Sequence, residues 1–128
     1  MSNHGDIVTR ESLGQSIQER RLDMVTITSP STDNKIVDKN GREVKKRTVL
    51  VMARSIPGES PASYVVQGLI DFLVSKHKIA QELRDKLIFK VIPMMNPDGV
   101  YLGNYRGNLL GNLANCHYTL NILDVIIF

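Results

Sequence analysis

The chain has 128 residues, 42% of them hydrophobic and 23% charged, with a formal net charge of +3. That length holds one domain with a real core. So weak a positive bias, with no tryptophan and only 5% aromatics, argues against a nucleic-acid binder, and a single cysteine, Cys116, excludes an internal disulfide or an all-cysteine zinc site.

The opening MSNHGDIVTRES has no apolar core of a signal peptide, and no window approaches the roughly 20 apolar residues of a membrane helix. The expectation is a soluble, cytoplasmic chain with no membrane partner. Residues 1–12 are polar and read as a disordered, frayed tail. Next, Leu22, Met24, Thr26 and Thr28 alternate with Asp23, Val25 and Ile27, which predicts a strand over roughly 22–28. Residues 29–46 are charged and turn-rich, with Asn40-Gly41 as a hairpin signal, so they read as a surface loop or loose hairpin. The cations Lys39, Arg42, Lys45, Lys46 and Arg47 could attract acidic tails; a solvated sheet edge is the plainer reading.

TVLVMAR, 48–54, is a continuous apolar run of strand length, the pattern of a strand buried on both faces. Ser60 stands in an N-cap position with Pro61 behind it, and Val65, Leu69, Phe72 and Leu73 recur at helical spacing over 62–75. A shorter helix follows over about 78–86, with His77 between the two and read as solvated. LIFKVIPM, 87–94, is a second buried-type strand. Strand, helix and strand predict a right-handed βαβ unit and an α/β fold. Asn96-Pro97-Asp98-Gly99 is turn chemistry throughout. Ligands of open α/β sheets sit beyond the carboxyl ends of the strands. If the two strands are parallel, 55–60 and 95–106 share one rim, and Glu59 and Arg106 are candidate partners in one cleft. The closing TLNILDVIIF is an apolar tail, most simply a strand.

Three stretches carry a family resemblance: LGQSIQERRLDMVTITS, then the run from Ala53 through NPDGVYLGNYRGNLLGN, then ANCHY. They resemble the cytosolic carboxypeptidase branch of the zinc metallocarboxypeptidases, the tubulin deglutamylases, with the cytosolic carboxypeptidase 6-like members nearest. The resemblance implies a partial α/β/α sandwich with a mixed sheet, whose C-terminal half is missing. It would place the N-terminal part of a zinc carboxypeptidase-like domain at 13–118 and leave 119–128 as a divergent tail. It implies zinc as the family's cofactor and glutamate-rich C-terminal tails, such as tubulin's, as partners.

Residue by residue, the family's loop reads Arg-Val-His-Pro-Gly-Glu, in which the His and Glu bind zinc. Here it reads Arg54-Ser55-Ile56-Pro57-Gly58-Glu59. Glu59 matches the metal carboxylate, while Ile56 replaces the histidine and offers no lone pair. Arg106 matches the arginine that polarises the scissile carbonyl and binds substrate. Asn115 matches the asparagine that helps hold the substrate carboxylate; Cys116 replaces its arginine partner, and Leu113 and Tyr118 replace an aspartate and a tryptophan. The second zinc histidine and the general base of the family have no counterpart after Tyr118. The bland alternative for Glu59 is an exposed acid near a helix start; for Arg106, a loop arginine; for Cys116, a small buried residue. His117 beside Cys116 as a rescuing ligand pair is disfavoured, because neighbours on a strand point apart. Three functions stay open: a deglutamylating enzyme, a non-catalytic module that grips acidic tails, and a truncated product, the reading preferred for the chain itself.

Overall fold

A computed structural model describes residues 6–30, 34–107 and 110, together with the backbone of 125–127. Among the described residues, seven strands and three helices follow in chain order: β1 (Val8–Gln15), β2 (Arg21–Ile27), β3 (Lys35–Val37), β4 (Glu43–Lys45), β5 (Arg47–Met52), α1 (Pro61–Val74), α2 (Lys78–Lys86), β6 (Leu87–Ile92), α3 (Pro97–Tyr101) and β7 (Val125–Ile127). Five strands form one mixed sheet in the order β1-β2-β6-β5-β7, while β3 and β4 pair separately.

The centre of the sheet is the parallel pair β5–β6, in register from Arg47 opposite Leu87 to Met52 opposite Ile92. Parallel neighbours need a long crossover, and α1 with α2 supplies it. Alternation along the strands sorts their side chains between two clusters. Ile27, Val51, Phe89 and Val91 pack with Val66 and Leu73 of α1, and Leu83 of α2 joins them. Met24, Met52 and Ile92 form a second cluster with Leu22, Leu50 and Met95. The described residues thus form a partial α/β fold whose two longer helices share one hydrophobic cluster. The expected second helical layer is not among them.

The reading of 1–12 as a tail gives way from Val8 onward. Val8–Gln15 is an edge strand, antiparallel to β2 with a register shift between Ser12 and Gly14. Its side chains are almost all exposed. Backbone pairing needs no apolar alternation at an edge with open faces, so the sequence carried no signal. The loose hairpin is real: β3 and β4 pair with Lys35 opposite Lys45. Its turn is closed by Asp38, whose Oδ1 accepts from the N–H of Asn40 and of Arg42 at 2.8 and 2.9 Å, and Gly41 takes a φ of +77° there.

Two local expectations change. Ser60 does precede Pro61, but it is already helical at φ −57°, ψ −30° and makes no side-chain cap bond. A hydroxyl caps from extended backbone, and the tight turn before α1 denies Ser60 that geometry. His77, by contrast, caps α2, its Nδ1 accepting from Ile79 N–H at 3.3 Å.

Lys46 is not part of a solvated edge. It is 6% exposed, and its ammonium donates to Thr28 Oγ1 at 3.3 Å, Ser29 Oγ at 2.9 Å and the Arg84 carbonyl at 3.2 Å. Arg84 is buried as well; its guanidinium donates to the carbonyls of Leu73 and of Ser75. Both buried cations therefore sit on helix C-terminal carbonyls, where the backbone dipole favours positive charge. Lys46→Met is expected to cost about 1–3 kcal/mol of unfolding free energy in urea titrations. Lys45→Met, at an exposed neighbour, should stay within about 0.5 kcal/mol of the parent. Equal effects of the two would show that the Lys46 ammonium holds nothing together.

Candidate functional site

Beyond the carboxyl ends of β5 and β6, the two chains stay hydrogen-bonded. Ala53 N–H donates to the Ile92 carbonyl, Met95 N–H to that of Ala53 and Asn96 N–H to that of Arg54, at 3.0, 2.9 and 3.1 Å. Arg54 pays for the sharp exit with left-handed backbone at φ +56°. Its guanidinium then staples the turn, donating to Ser63 Oγ at 2.8 Å and to the Pro57 carbonyl at 2.6 Å.

The second loop is held equally closely. Gly58 N–H donates to the Tyr105 carbonyl at 2.8 Å. A Cβ on Gly58 would lie 2.6 Å from that oxygen, and one on Gly99 would lie 2.5 Å from Pro57 Cγ. Only glycine lets the Tyr105 backbone and the Pro57 ring approach so closely. The shared rim expected for 55–60 and 95–106 is therefore present.

Asp98 locks this rim to the β1–β2 turn. It is 4% exposed and accepts from Ser16 Oγ at 2.6 Å, Gln18 N–H at 3.2 Å and Arg20 Nη1 at 2.9 Å. Arg20 also lies 3.8 Å from the centroid of the Tyr101 ring. Burial alone would raise the Asp98 carboxyl; the hydrogen bonds from Ser16, Arg20 and Gln18, with the Arg20 charge, outweigh it and hold the group below its ordinary value. Sequence reading missed this network, because Ser16 and Asp98 lie 82 positions apart. The available signal was an acid just behind the Asn96-Pro97 helix start. Asn96 is indeed the cap of α3, its Oδ1 accepting from Gly99 N–H at 3.0 Å.

The sequence-predicted residues fall as follows. Glu59 and Arg106 flank the direct Gly58–Tyr105 contact, one residue beyond each partner, and both are exposed. They form no ion pair with each other or with another described residue. The Arg106 guanidinium lies 5.9 Å from the Tyr105 ring centroid. Ile56 is half-buried in the same turn, its carbonyl accepting from Glu59 N–H at 3.2 Å. Asn115, Cys116, His117 and Tyr118 lie outside the described residues.

A catalytic zinc needs three protein ligands around an open position. Among the described residues, no three of His, Cys, Asp and Glu come together to hold a metal. Where the zinc-loop resemblance puts a histidine, Ile56 presents only carbon. The described rim does not fit the metal. It does retain buried polar atoms without a partner among the described residues, Ser55 Oγ and Asn96 Nδ2 among them.

Comparison with known proteins bears on the same stretch. The zinc carboxypeptidase family matches residues 1–117. The chain is 53% identical over 114 residues to cytosolic carboxypeptidase 6 of Mus musculus, covering 88% of this chain and 20% of the relative. For cytosolic carboxypeptidase 6 of Homo sapiens the identity is 55%, covering 88% and 21%. The chain thus spans about one fifth of the length of these relatives. Among solved structures, a putative carboxypeptidase A from Shewanella denitrificans superposes with a TM-score of 0.76 at 28% identity, covering 92% of this chain and 28% of that one. A metallo-carboxypeptidase from Burkholderia cenocepacia does so at 0.70 and 31% identity, covering 82% and 26%.

The Asp98 lock sets a pH dependence. A carboxyl held below its unfolded value stabilises the fold above 3.8, and that contribution is lost as pH falls through the folded value. Asp98→Asn is therefore expected to melt several degrees below the parent near neutral pH. The gap should narrow as pH falls from 3.8 toward the lower folded value, and close once the folded carboxyl of the parent is protonated too. A gap that does not change with pH would show that the charge of Asp98 is not what binds the hairpin to the rim.

Proposed function

The chain belongs to the zinc carboxypeptidase family, and on that premise we propose that it derives from cytoplasmic enzymes that remove C-terminal glutamates from acidic protein tails such as tubulin's, and that this chain does not itself cleave them. The observation that carries the reading is Ile56. Zinc carboxypeptidase chemistry uses a bound metal to polarise the scissile carbonyl and to lower the pKa of the attacking water. Glu59 alone cannot hold zinc against water, since stable sites need several ligands in fixed geometry.

The test combines zinc content with product release. After dialysis against zinc-containing buffer, the protein is expected to keep far less than one equivalent of metal, and Ile56→His should retain measurably more by placing a second ligand in the Glu59 turn. Neither form is expected to release glutamate from a peptide ending in polyglutamate above a buffer control. Zinc-dependent release by the parent chain would sink the proposal.

A non-catalytic module that grips acidic tails is the second reading, favoured by the exposed Arg106, which forms no ion pair among the described residues. In the family resemblance, Arg106 and Asn115 both face substrate, and an arginine fork matches a carboxylate. Fluorescence anisotropy with a polyglutamylated peptide should then report binding that weakens at least about fivefold in Arg106→Ala. Unchanged affinity in that variant would reject the module.

A further inference from the structure

The positive charge of the chain is concentrated in one hairpin. Six of its sixteen cations and two of its thirteen acids fall within residues 34–47, a local charge of +4 that leaves −1 for the rest. These residues build the β3–β4 pair and run straight into Arg47, the first residue of β5. The Glu59–Arg106 rim lies beyond the other end of β5, about 17 Å away along the strand.

Both acids of the hairpin are already engaged. The Asp38 carboxylate closes the turn by accepting from the N–H of Asn40 and of Arg42, and Glu43 pairs with Lys35 at 3.0 Å. Lys46 turns inward to its carbonyl and hydroxyls, while its N–H donates to the Asn34 carbonyl at 2.7 Å and carries the hairpin pairing one residue further. The neighbours of an inward residue in extended backbone face outward, and Lys45 and Arg47 are both exposed. Lys45 also stands directly opposite Lys35, a like-charge pair that costs stability across a ladder. Lys39, Arg42, Lys45 and Arg47 make no ion pair among the described residues. The uncompensated charge of this surface is therefore positive and faces solvent.

We propose that the outward face of this hairpin, continued by Arg47, docks an extended acidic peptide segment whose carboxylates, two positions apart, meet Lys45 and Arg47. Two residues of extended chain span about 7 Å on both partners, so alternate carboxylates of one match alternate cations of the other. A carboxylate seated between Lys35 and Lys45 also relieves their mutual repulsion. Charge complementarity selects this occupant. The site uses acidic side chains and no chain terminus, and it is independent of whether Arg106 grips a tail.

The probes are two acetylated and amidated hexapeptides, one alternating glutamate with threonine and one alternating glutamine with threonine, titrated into the full chain with NMR detection of backbone amides. Amidation removes the terminal carboxylate. The glutamate peptide is expected to give saturable shifts at the amides of Lys35, Lys45 and Arg47 that weaken with added salt, and the glutamine peptide to give none. Lys45→Gln combined with Arg47→Gln, both exposed positions, should weaken the glutamate peptide at least about threefold with the amide spectrum still that of the folded chain. The Gly58 and Tyr105 amides report on the rim separately. No saturable shift, shifts confined to Gly58 and Tyr105, equal binding of the glutamine peptide or undiminished affinity in the double variant would each overturn the proposal. So would tighter binding of a tetrauridine carrying the same number of negative charges, or hairpin shifts that appear on concentrating the protein alone, as a second copy would produce.

Discussion

The parallel pairing of β5 with β6 governs the rest of the molecule. Six residue pairs in unbroken register bring two carboxyl ends to the same edge, and hydrogen bonds through Ala53, Arg54, Met95 and Asn96 carry the ladder into both loops. The rim is thus an extension of the sheet rather than a pair of independent loops. Gly58 is required where the backbone of Tyr105 closes on it, and Gly99 where the Pro57 ring does, since neither has space for a Cβ.

Two buried cations solve a second problem that this topology creates. The crossover must turn back twice within a short span, leaving helix C-termini against the sheet with unpaired carbonyls. Arg84 bonds the carbonyls at the end of α1, while Lys46 reaches the carbonyl of Arg84 at the end of α2. Neither meets a carboxylate among the described residues. Backbone dipoles and hydroxyls serve in place of a counter-ion. The hairpin and the β2 end are thereby fastened to the helical layer through one ammonium.

The loop between β5 and α1 is tightly held, yet no metal-ligating set forms there among the described residues. Arg54 staples the turn, Gly58 lets Tyr105 approach, and Glu59 is exposed beside them. Ile56 stands in this turn with only carbon to present. The hydrogen bonds that pack the turn come from backbone groups and the Arg54 guanidinium, so its shape does not depend on a metal. The buried hydroxyl of Ser55 has no partner among the described residues, and a buried polar atom left unpaired costs stability.

By itself the sequence determined the buried strands, the two longer helices and the family. TVLVM and LIFKVI are continuous apolar runs that suit the two covered faces of a central strand. The period of Val65, Leu69, Phe72 and Leu73 gave the helix, while the structure turns Val66 and Leu73 to the core and leaves Val65 and Phe72 exposed. The Ile56 substitution was equally legible, because a residue's capacity to ligate depends on its own atoms. Only the tertiary structure decided that Val8–Gln15 is a strand, that Lys46 is buried, that His77 and not Ser60 caps its helix, and that Asp98 is the anchor of the rim. Each of these depends on a partner distant in sequence or on backbone dihedrals set by the surrounding turn. An edge strand is held by its neighbour's hydrogen bonds, and a buried cation by carbonyls from another element. No local pattern of residue types encodes those partners.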